Sequence, residues 1–221
     1  AGLRNVGSRL FVESWCVRAF SPLLSPVAPL KTLVRFGSGA MLAGAMALSW
    51  AVPAGAAAGS VNGKTIVVDP GHGGKDPGAI ANGVQEKTVT LPMGLQLQGI
   101  LQAEGARVIM TRSSDVNPAP GGSVDDDLQA RVNDAQQAHA DAFISIHANE
   151  SADPHVSGVT TFYGPACGFY SNVTLTPTIV GRSYSLASKV DAAVAARTQE
   201  QDNGTRGVAF WVLGNPGIPA I

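Results

Sequence analysis

Three residues of metal-binding types stand at the ends or starts of predicted elements. His72 follows an apolar run at residues 65–68, and His147 directly follows another at residues 142–146. Glu86 begins a stretch with helical spacing, 14 residues after His72. Two imidazoles and one carboxylate are one of the ligand sets that proteins use for catalytic zinc. These three ligands leave a fourth position on the metal open for water. On type and spacing alone, these residues could equally be ordinary polar groups and a helix cap.

An alternation of strands and helices would bring these residues together, because it predicts a parallel or mixed sheet with helices on both faces. Buried strands are predicted at residues 65–68, 107–111, 142–146, 159–163 and 208–213. Helices are predicted at residues 86–104 with Pro92 in the first turn, at 125–140 and at 185–197. Functional groups in such sheets collect at the carboxyl ends of strands, where both histidines stand.

The loop that contains His72 is rich in glycine, with four glycines among residues 69–78. Glycine tolerates positive φ, so this loop can turn tightly and direct the imidazole back across the sheet edge. The loop lacks the Lys-Ser/Thr ending of a P-loop and the G-x-G-x-x-G pattern, which argues against a phosphate site. The sequence therefore favours a metal site over a phosphate site here.

Three sequence strings carry a resemblance to a known family. Residues 67–79, the pair Glu86-Lys87 and residues 143–149 together resemble the zinc-dependent N-acetylmuramoyl-L-alanine amidases of the bacterial cell wall. The resemblance extends over about residues 64–221. It includes Thr111-Arg112, the segment around Arg131 and residues 212–221.

The resemblance implies a fold, a ligand set and an activity. It implies an α/β fold with a mixed six-stranded sheet flanked by helices on both faces. His72, Glu86 and His147 match the family's zinc ligands, so Zn²⁺ is the expected cofactor and peptidoglycan the expected partner. The implied reaction is hydrolysis of the amide between N-acetylmuramic acid and L-alanine. Proximity in sequence suggests Asp69 or Asn149 as the residue that orients a ligand.

The resemblance also implies a catalytic residue that cannot be assigned. Family members carry a catalytic glutamate on the last strand, just beyond the segment that corresponds to residues 219–221. Two interpretations stay open: a shortened copy of an intact amidase without its last strand, or a natural product ending at Ile221 that binds zinc with impaired hydrolysis. Glu150 is near the site in sequence but matches no catalytic position of the family.

Two alternative functions would use the same predicted zinc site or bind the same cell wall. One is a zinc peptidase that cleaves within the stem peptide, and the other is a non-catalytic wall-binding or regulatory module.

We expect surface positions for His139, His155 and Glu200, and a helix cap rather than a metal site for the acidic run 125–127. Cys167 is expected to be a loop thiol, whereas Trp211 and Phe210 fit a substrate groove or the core.

Charge divides the chain into two parts. Residues 1–58 carry five Lys and Arg against one acid, whereas residues 59–221 carry ten against fifteen, a net charge of −5. Basic residues 31 and 35 precede an apolar run at 40–52 and small residues at 54–58, a pattern typical of a secretory signal. A membrane anchor is the alternative, but such anchors need about 18 apolar residues. We therefore predict an upstream extension and signal at 1–58, an amidase domain at 59–221, and export to the periplasm, cell envelope or medium.

Composition excludes some other classes. With 45% apolar residues, the chain is not compositionally disordered, since disorder needs low hydrophobicity and many charges. A net charge of −1 gives no case for nucleic-acid binding. Two cysteines cannot form a disulfide framework. We expect a monomer that meets the membrane only through the signal segment.

Overall fold

The computed structural model describes residues 9–10, 61–151, 153, 155–166 and 173–221. The predicted signal segment and Cys167 lie outside these residues, so the predictions about them stay predictions. Within the described part of the chain, no helix has the length and apolar character needed to cross a membrane.

Three parallel strands form the sheet that carries both histidines at its edge. They are β1 (Thr65–Pro70), β2 (Arg107–Met110) and β3 (Ala142–Ile146), in the order β2-β1-β3. Val67 in the middle of β1 lies opposite Ile109 on one side and Phe143 on the other. Residues 66–70 are all buried, as expected for a central strand that is covered on both faces.

A second parallel sheet has two strands, β4 (Val159–Tyr163) and β5 (Asp202–Gly207). Two short antiparallel pairs join Ile80–Ala81 to Val84–Gln85 and Arg9–Leu10 to Glu150–Ser151. Residues 219–221 lie beside β3, where the Ile221 N–H donates to the Phe143 carbonyl at 3.1 Å. The α/β class is thus confirmed, whereas the described residues form sheets of three and two strands rather than one of six.

Helices cover both faces of the three-stranded sheet. They are α1 (Glu86–Ala103), α2 (Val124–Gln137), α3 (Pro177–Thr198) and the short α4 (Trp211–Gly214). Successive strand residues point to opposite faces, so Ile66 and Val68 pack with α1 and α3. Val67 and Phe143 pack on the other face with α2 and α4.

The start of α2 follows the prediction for its acidic run. The Ser123 side chain accepts a hydrogen bond from the Asp126 N–H at 3.2 Å. The Asp126 carboxylate in turn accepts from the Ser123 N–H at 2.8 Å, which completes a capping box. The cap predicted for the acidic run is thus confirmed for Asp126, whereas Asp127 is buried and pairs with Arg131 at 3.1 Å.

Three predictions about elements are wrong. Pro92 is the seventh residue of α1 rather than part of its first turn. Proline has no N–H to donate to the Thr88 carbonyl, and both residues lie on the exposed side of the helix. Helix α3 begins at Pro177 rather than at residue 185, because Thr176 caps it by accepting from the Ile179 N–H at 3.3 Å. The third error concerns residues 208–213.

Residues 208–213 do not form the predicted strand. The strand is the polar segment Asp202–Gly207, and the apolar residues after it enter helix α4. Val212 and Leu213 are buried against α2, which explains their hydrophobicity without a strand. Strand β5 escaped prediction because an edge strand that is half exposed needs no apolar alternation.

Candidate metal centre

The sheet topology brings His72, Glu86 and His147 to one edge. His72 lies two residues beyond β1, and His147 directly follows β3. Because β1 and β3 are parallel neighbours, their carboxyl ends meet at the same edge. Glu86 is the first residue of α1, and the ligand atoms of the three side chains all lie within 4.8 Å of one another. Within the described residues, this is the one group of three or more His, Cys, Asp and Glu side chains that could hold a metal.

Glu86 is the centre of this group. One carboxylate oxygen lies 3.0 Å from His72 Nε2, and the other lies 2.9 Å from His147 Nδ1. The same oxygens accept hydrogen bonds from the N–H groups of Ala79 at 2.9 Å and Ala148 at 2.8 Å. Glu86 is only 1% exposed. The backbone therefore fixes this carboxylate between the two imidazoles.

The electrostatics of the group follow from its burial and its partners. Burial by itself raises the pKa of Glu86, but hydrogen bonds with His147 and His72 outweigh it and hold this pKa far below its ordinary value. Burial lowers the pKa of His72, but hydrogen bonds with Glu86 and Asp76 more than reverse this effect and raise the pKa overall. The carboxylate is therefore ionised and ready to face a cation.

Asp76 is a site residue that sequence reasoning missed. Its carboxylate lies 2.7 Å from His72 Nδ1 and also accepts from the Gly78 N–H at 2.9 Å. A carboxylate on the far ring nitrogen orients an imidazole ligand and fixes its tautomer. The signal was present in the sequence, because Asp76 stands four residues after His72 in the glycine-rich loop.

Asp69 and Asn149, the two residues suggested above to orient a ligand, differ in position: Asp69 is buried in a hydrogen-bond network, and Asn149 lines a cavity. The oxygens of Asp69 accept from Thr111 at 2.6 Å, from Ser145 at 2.8 Å and from Arg131 at 2.7 Å. Burial raises the pKa of Asp69, but the charge of Arg131 and these hydrogen bonds lower it overall. Asp69 thus ties strands and helices together beneath the site, and Asn149 lines the cavity beside the histidines.

Two glycines are needed for the close approach of the ligands. A Cβ atom on Gly71 would collide with the imidazole ring of His147. A Cβ atom on Gly78, which has a φ of +66°, would lie 2.7 Å from Glu86 Oε2 and against the His72 ring. Glycine at both positions lets backbone and ligands share this space.

A cavity of about 480 Å³ opens beside the three residues. Its walls include Phe162, Phe210 and Trp211, and Phe210 packs edge-on against Phe162 with ring centroids 5.4 Å apart. Such volume and apolar walls are typical of ligand sites. The predicted groove residues thus lie at the site, whereas Glu150, His139, His155 and Glu200 are exposed and do not line the cavity.

A three-residue nitrogen and oxygen ligand set at the edge of an α/β sheet is typical of a metal-dependent hydrolase. The sequence profile of the Amidase_3 family, described as N-acetylmuramoyl-L-alanine amidase, matches residues 66–221. The chain belongs to this family.

Known relatives agree with this assignment. The chain is 35% identical over 161 residues to the N-acetylmuramoyl-L-alanine amidase LytC of Bacillus subtilis, which covers 73% of this chain and 29% of LytC. It is 39% identical over 120 residues to the germination-specific amidase of the same organism, covering 52% of this chain and 48% of that relative. The chain therefore spans less than half the length of these two curated relatives.

A solved structure shows the same fold. The amidase AmiC2 of Nostoc punctiforme is 31% identical, with a TM-score of 0.57 over 72% of this chain and 77% of that one. The α/β domain described above is therefore the fold of a solved amidase.

Proposed function

We propose that this chain is the catalytic domain of a zinc-dependent amidase that cleaves the bond between N-acetylmuramic acid and L-alanine in peptidoglycan. One observation carries the proposal: His72, Glu86 and His147 converge at the carboxyl edge of the sheet within a domain of this family. Family membership supplies the substrate class, and the ligand set supplies the chemistry.

The three side chains fit zinc by type and spacing. Zinc takes imidazole nitrogen and carboxylate oxygen at about 2.0–2.2 Å, which separates neighbouring ligand atoms in a tetrahedron by about 3.3 Å. Glu86 Oε2 lies 3.0 Å from His72 Nε2, and Glu86 Oε1 lies 2.9 Å from His147 Nδ1. One ligand atom from each of the three residues lies within 4.8 Å of the others, so the side chains surround one point. Three protein ligands leave one position for water or substrate, as catalytic zinc sites require.

Each part of the site has a separate role in the proposed hydrolysis. When bound there, Zn²⁺ would polarise the scissile carbonyl and lower the pKa of a bound water toward 7. Glu86 supplies negative charge, and Asp76 holds the His72 ring by its Nδ1 atom. Phe162 and Trp211 form part of the cavity wall, and their apolar rings would limit the access of water from that side.

The general base is the part of the proposal that rests on resemblance. Among the described residues that line the cavity, Glu86 is the one carboxylate, and both its oxygens already have partners. Ala220 lies opposite Phe143 in a parallel arrangement. Residues 219–221 therefore run alongside β3, toward the edge at which His147 stands.

Export completes the proposal, because peptidoglycan lies outside the cytoplasmic membrane. The basic and apolar pattern of residues 31–58 supports a secretory signal. The acidic charge of residues 59–221 gives no overall attraction to an anionic wall, so substrate recognition would depend on the metal and the cavity.

Digestion of purified peptidoglycan tests the reaction. We expect zinc-dependent release of new L-alanine amino termini with muramic acid left intact, and loss of this product after chelation. His72→Ala and His147→Ala should each abolish stoichiometric zinc binding after dialysis, whereas His139→Ala, an exposed control, should retain it.

The alternatives give different outcomes in the same experiment. Cleavage between stem-peptide residues would support the peptidase and contradict the amidase. Zinc binding without any product would support a non-catalytic module. Retained zinc in either histidine variant would contradict the ligand assignment.

A further inference from the structure

The three successive backbone carbonyls of residues 70–72, which lead into His72, accept five side-chain hydrogen bonds. The Pro70 carbonyl accepts from Arg112 Nε at 2.8 Å and from Arg131 Nη1 at 3.1 Å. The Gly71 carbonyl accepts from Arg112 Nη2 at 2.9 Å and from Thr90 Oγ1 at 2.8 Å. The His72 carbonyl accepts from Arg131 Nη2 at 3.0 Å. We call Arg112, Arg131 and Thr90 the carbonyl clamp.

The members of the carbonyl clamp come from separate parts of the fold and are deeply buried. Thr90 lies in α1, Arg131 in α2, and Arg112 follows β2. The exposed fractions of Thr90, Arg131 and Arg112 are 0%, 2% and 3%. Asp69 and Asp127 pair with Arg131 and compensate part of this buried charge. Two buried guanidinium groups are costly to desolvate, and neither touches the ligand atoms of the metal group.

The backbone of His72 explains why the loop needs such support. Its φ is +63°, in the left-handed region that side chains other than glycine rarely adopt. A residue held there stores strain, which persists only where surrounding contacts hold the conformation. The carbonyl clamp supplies those contacts on the main chain, while Asp76 holds the imidazole from the side-chain end.

We propose that Arg131 and Arg112 are positioning residues of the metal centre, which hold the carbonyls of residues 70–72 so that His72 faces Glu86 before a metal binds. This inference rests on the proposed metal-dependent function. A guanidinium presents several N–H groups in a rigid plane and can bridge two carbonyls, whereas an ammonium group acts as a single point. Charge alone is therefore insufficient for this role.

Arg131→Lys and Arg112→Lys test the proposal because they keep the charge and remove the bridging geometry. Competition with a chromogenic chelator measures zinc affinity, and we expect each variant to bind zinc about 10–100-fold more weakly, as for other residues that orient ligands. The absorption spectrum of the Co²⁺ form should also change, since it reports ligand geometry. Thermal unfolding without metal shows whether each variant is folded.

Arg107→Lys is the matched control, because it makes the same change at an arginine outside the carbonyl clamp. Arg107 is the first residue of β2 and is exposed. Its backbone N–H donates to the Lys64 carbonyl at 2.8 Å, a bond that lysine keeps. We expect its zinc affinity to remain within about threefold of the unaltered chain, as for most surface substitutions, with an unchanged Co²⁺ spectrum.

The outcomes separate the inference from the proposed function. Failure of the unaltered chain to bind zinc would contradict the proposed metal site itself. Tight zinc binding by the unaltered chain and by both folded lysine variants would overturn the positioning role alone. Equal losses in Arg107→Lys and Arg131→Lys would also overturn it, because they would reflect a general effect of replacing arginine by lysine. If one lysine variant does not fold, the other decides.

Discussion

Two regions of the domain bury a carboxylate, and their charges are controlled in opposite ways. Glu86 at the metal edge is 1% exposed, and Asp191 on α3 is 3% exposed. The pKa of Glu86 lies far below its ordinary value, whereas the pKa of Asp191 is raised to about 6. Burial is similar at the two sites, so burial does not explain the difference.

The partners of each carboxylate explain the difference. Burial raises the pKa of both groups, but Glu86 lies between two imidazoles and two backbone N–H groups that stabilise its ionised form. Asp191 faces the carboxyl group of Asp202 on β5, which raises its pKa further, and the Thr161 hydroxyl at 2.9 Å only partly offsets this. Neighbours of opposite charge, and hydrogen-bond donors, lower the pKa of an acid, whereas neighbours of like charge raise it.

The comparison teaches how to assign function to a perturbed group. Strongly shifted pKa values cluster at functional sites, but structural charge pairs produce them too. Only Glu86 stands among other metal-binding side chains at the cavity, whereas Asp191 lies behind the cavity wall that Thr161 forms. Ligand geometry therefore identifies the functional carboxylate, and the pKa shift supports that choice.

The same chemical change at the two carboxylates should have opposite effects, and the larger effect is at the metal edge. Glu86→Gln removes the charge and places an amide NH₂ against the N–H groups of Ala79 or Ala148, which are donors themselves. We expect zinc affinity to fall by more than about 100-fold, since a ligand rather than its support is lost. Isothermal titration with zinc measures this loss.

Glu200→Gln is the control for this change, because Glu200 is exposed and lies outside the cavity. It should bind zinc like the unaltered chain. Tight zinc binding by a folded Glu86→Gln variant would contradict the assignment of Glu86 as a ligand.

Gly71→Ala should have the next largest effect. Its added Cβ would collide with the His147 ring, whose side chain is 37% exposed and can move toward solvent. We therefore expect a loss of metal affinity of about 10–100-fold with a destabilisation near the low end of about 1–3 kcal/mol for overpacking. Zinc competition and urea unfolding measure the two effects separately.

Gly99→Ala is the control for the added methyl group. Gly99 lies in α1, and nothing lies within 4 Å of a Cβ at that position. It should leave zinc affinity unchanged and stabilise the helix by up to about 1 kcal/mol. If Gly71→Ala binds zinc as tightly as Gly99→Ala does, the close packing of Gly71 on His147 has no part in holding the metal.

The sequence predicts much of this arrangement because its signals are local. Strand β3 has the predicted bounds, and β1 has the predicted start, since both are short apolar runs in a covered sheet. Parallel neighbouring strands then place the residues beyond their carboxyl ends at one edge, which is why His72 and His147 could be expected to meet. Helix α1 begins at Glu86 as predicted, and its apolar residues at helical spacing begin three residues later at Val89.

Other features depend on contacts between distant segments and could not be predicted this way. Arg112 and Arg131 reach carbonyls 41 and 61 residues away, a pairing that no local spacing indicates. The pairing of Asp191 with Asp202 depends on β5, whose polar sequence hides a strand. Side-chain networks between elements need the tertiary fold, whereas apolar periodicity needs only the segment itself.

Asp191→Asn should have the smallest of the three effects, and it should stabilise the protein. The folded state holds the Asp191 proton up to a pKa of about 6, against an ordinary value of 3.8, so it binds more protons than the unfolded chain between these values. Stability from this group is present at low pH and is lost as pH rises toward 6. We expect the variant to be more stable than the unaltered chain by about 1–3 kcal/mol at pH 8, and equally stable near pH 3.5.

Urea unfolding at several pH values measures this difference, and Asp202→Asn separates its cause. If repulsion between the two carboxyl groups raises the pKa of Asp191, then either amide relieves the same repulsion, and the double variant should gain less than the sum of the single gains. Asp202 is exposed, so its own change should contribute less than about 1 kcal/mol. Additive gains, or a stability difference that does not depend on pH, would show that Asp191 is not governed by Asp202. Such a result would remove the contrast with Glu86, because neighbouring charge would then explain only one of the two buried carboxylates.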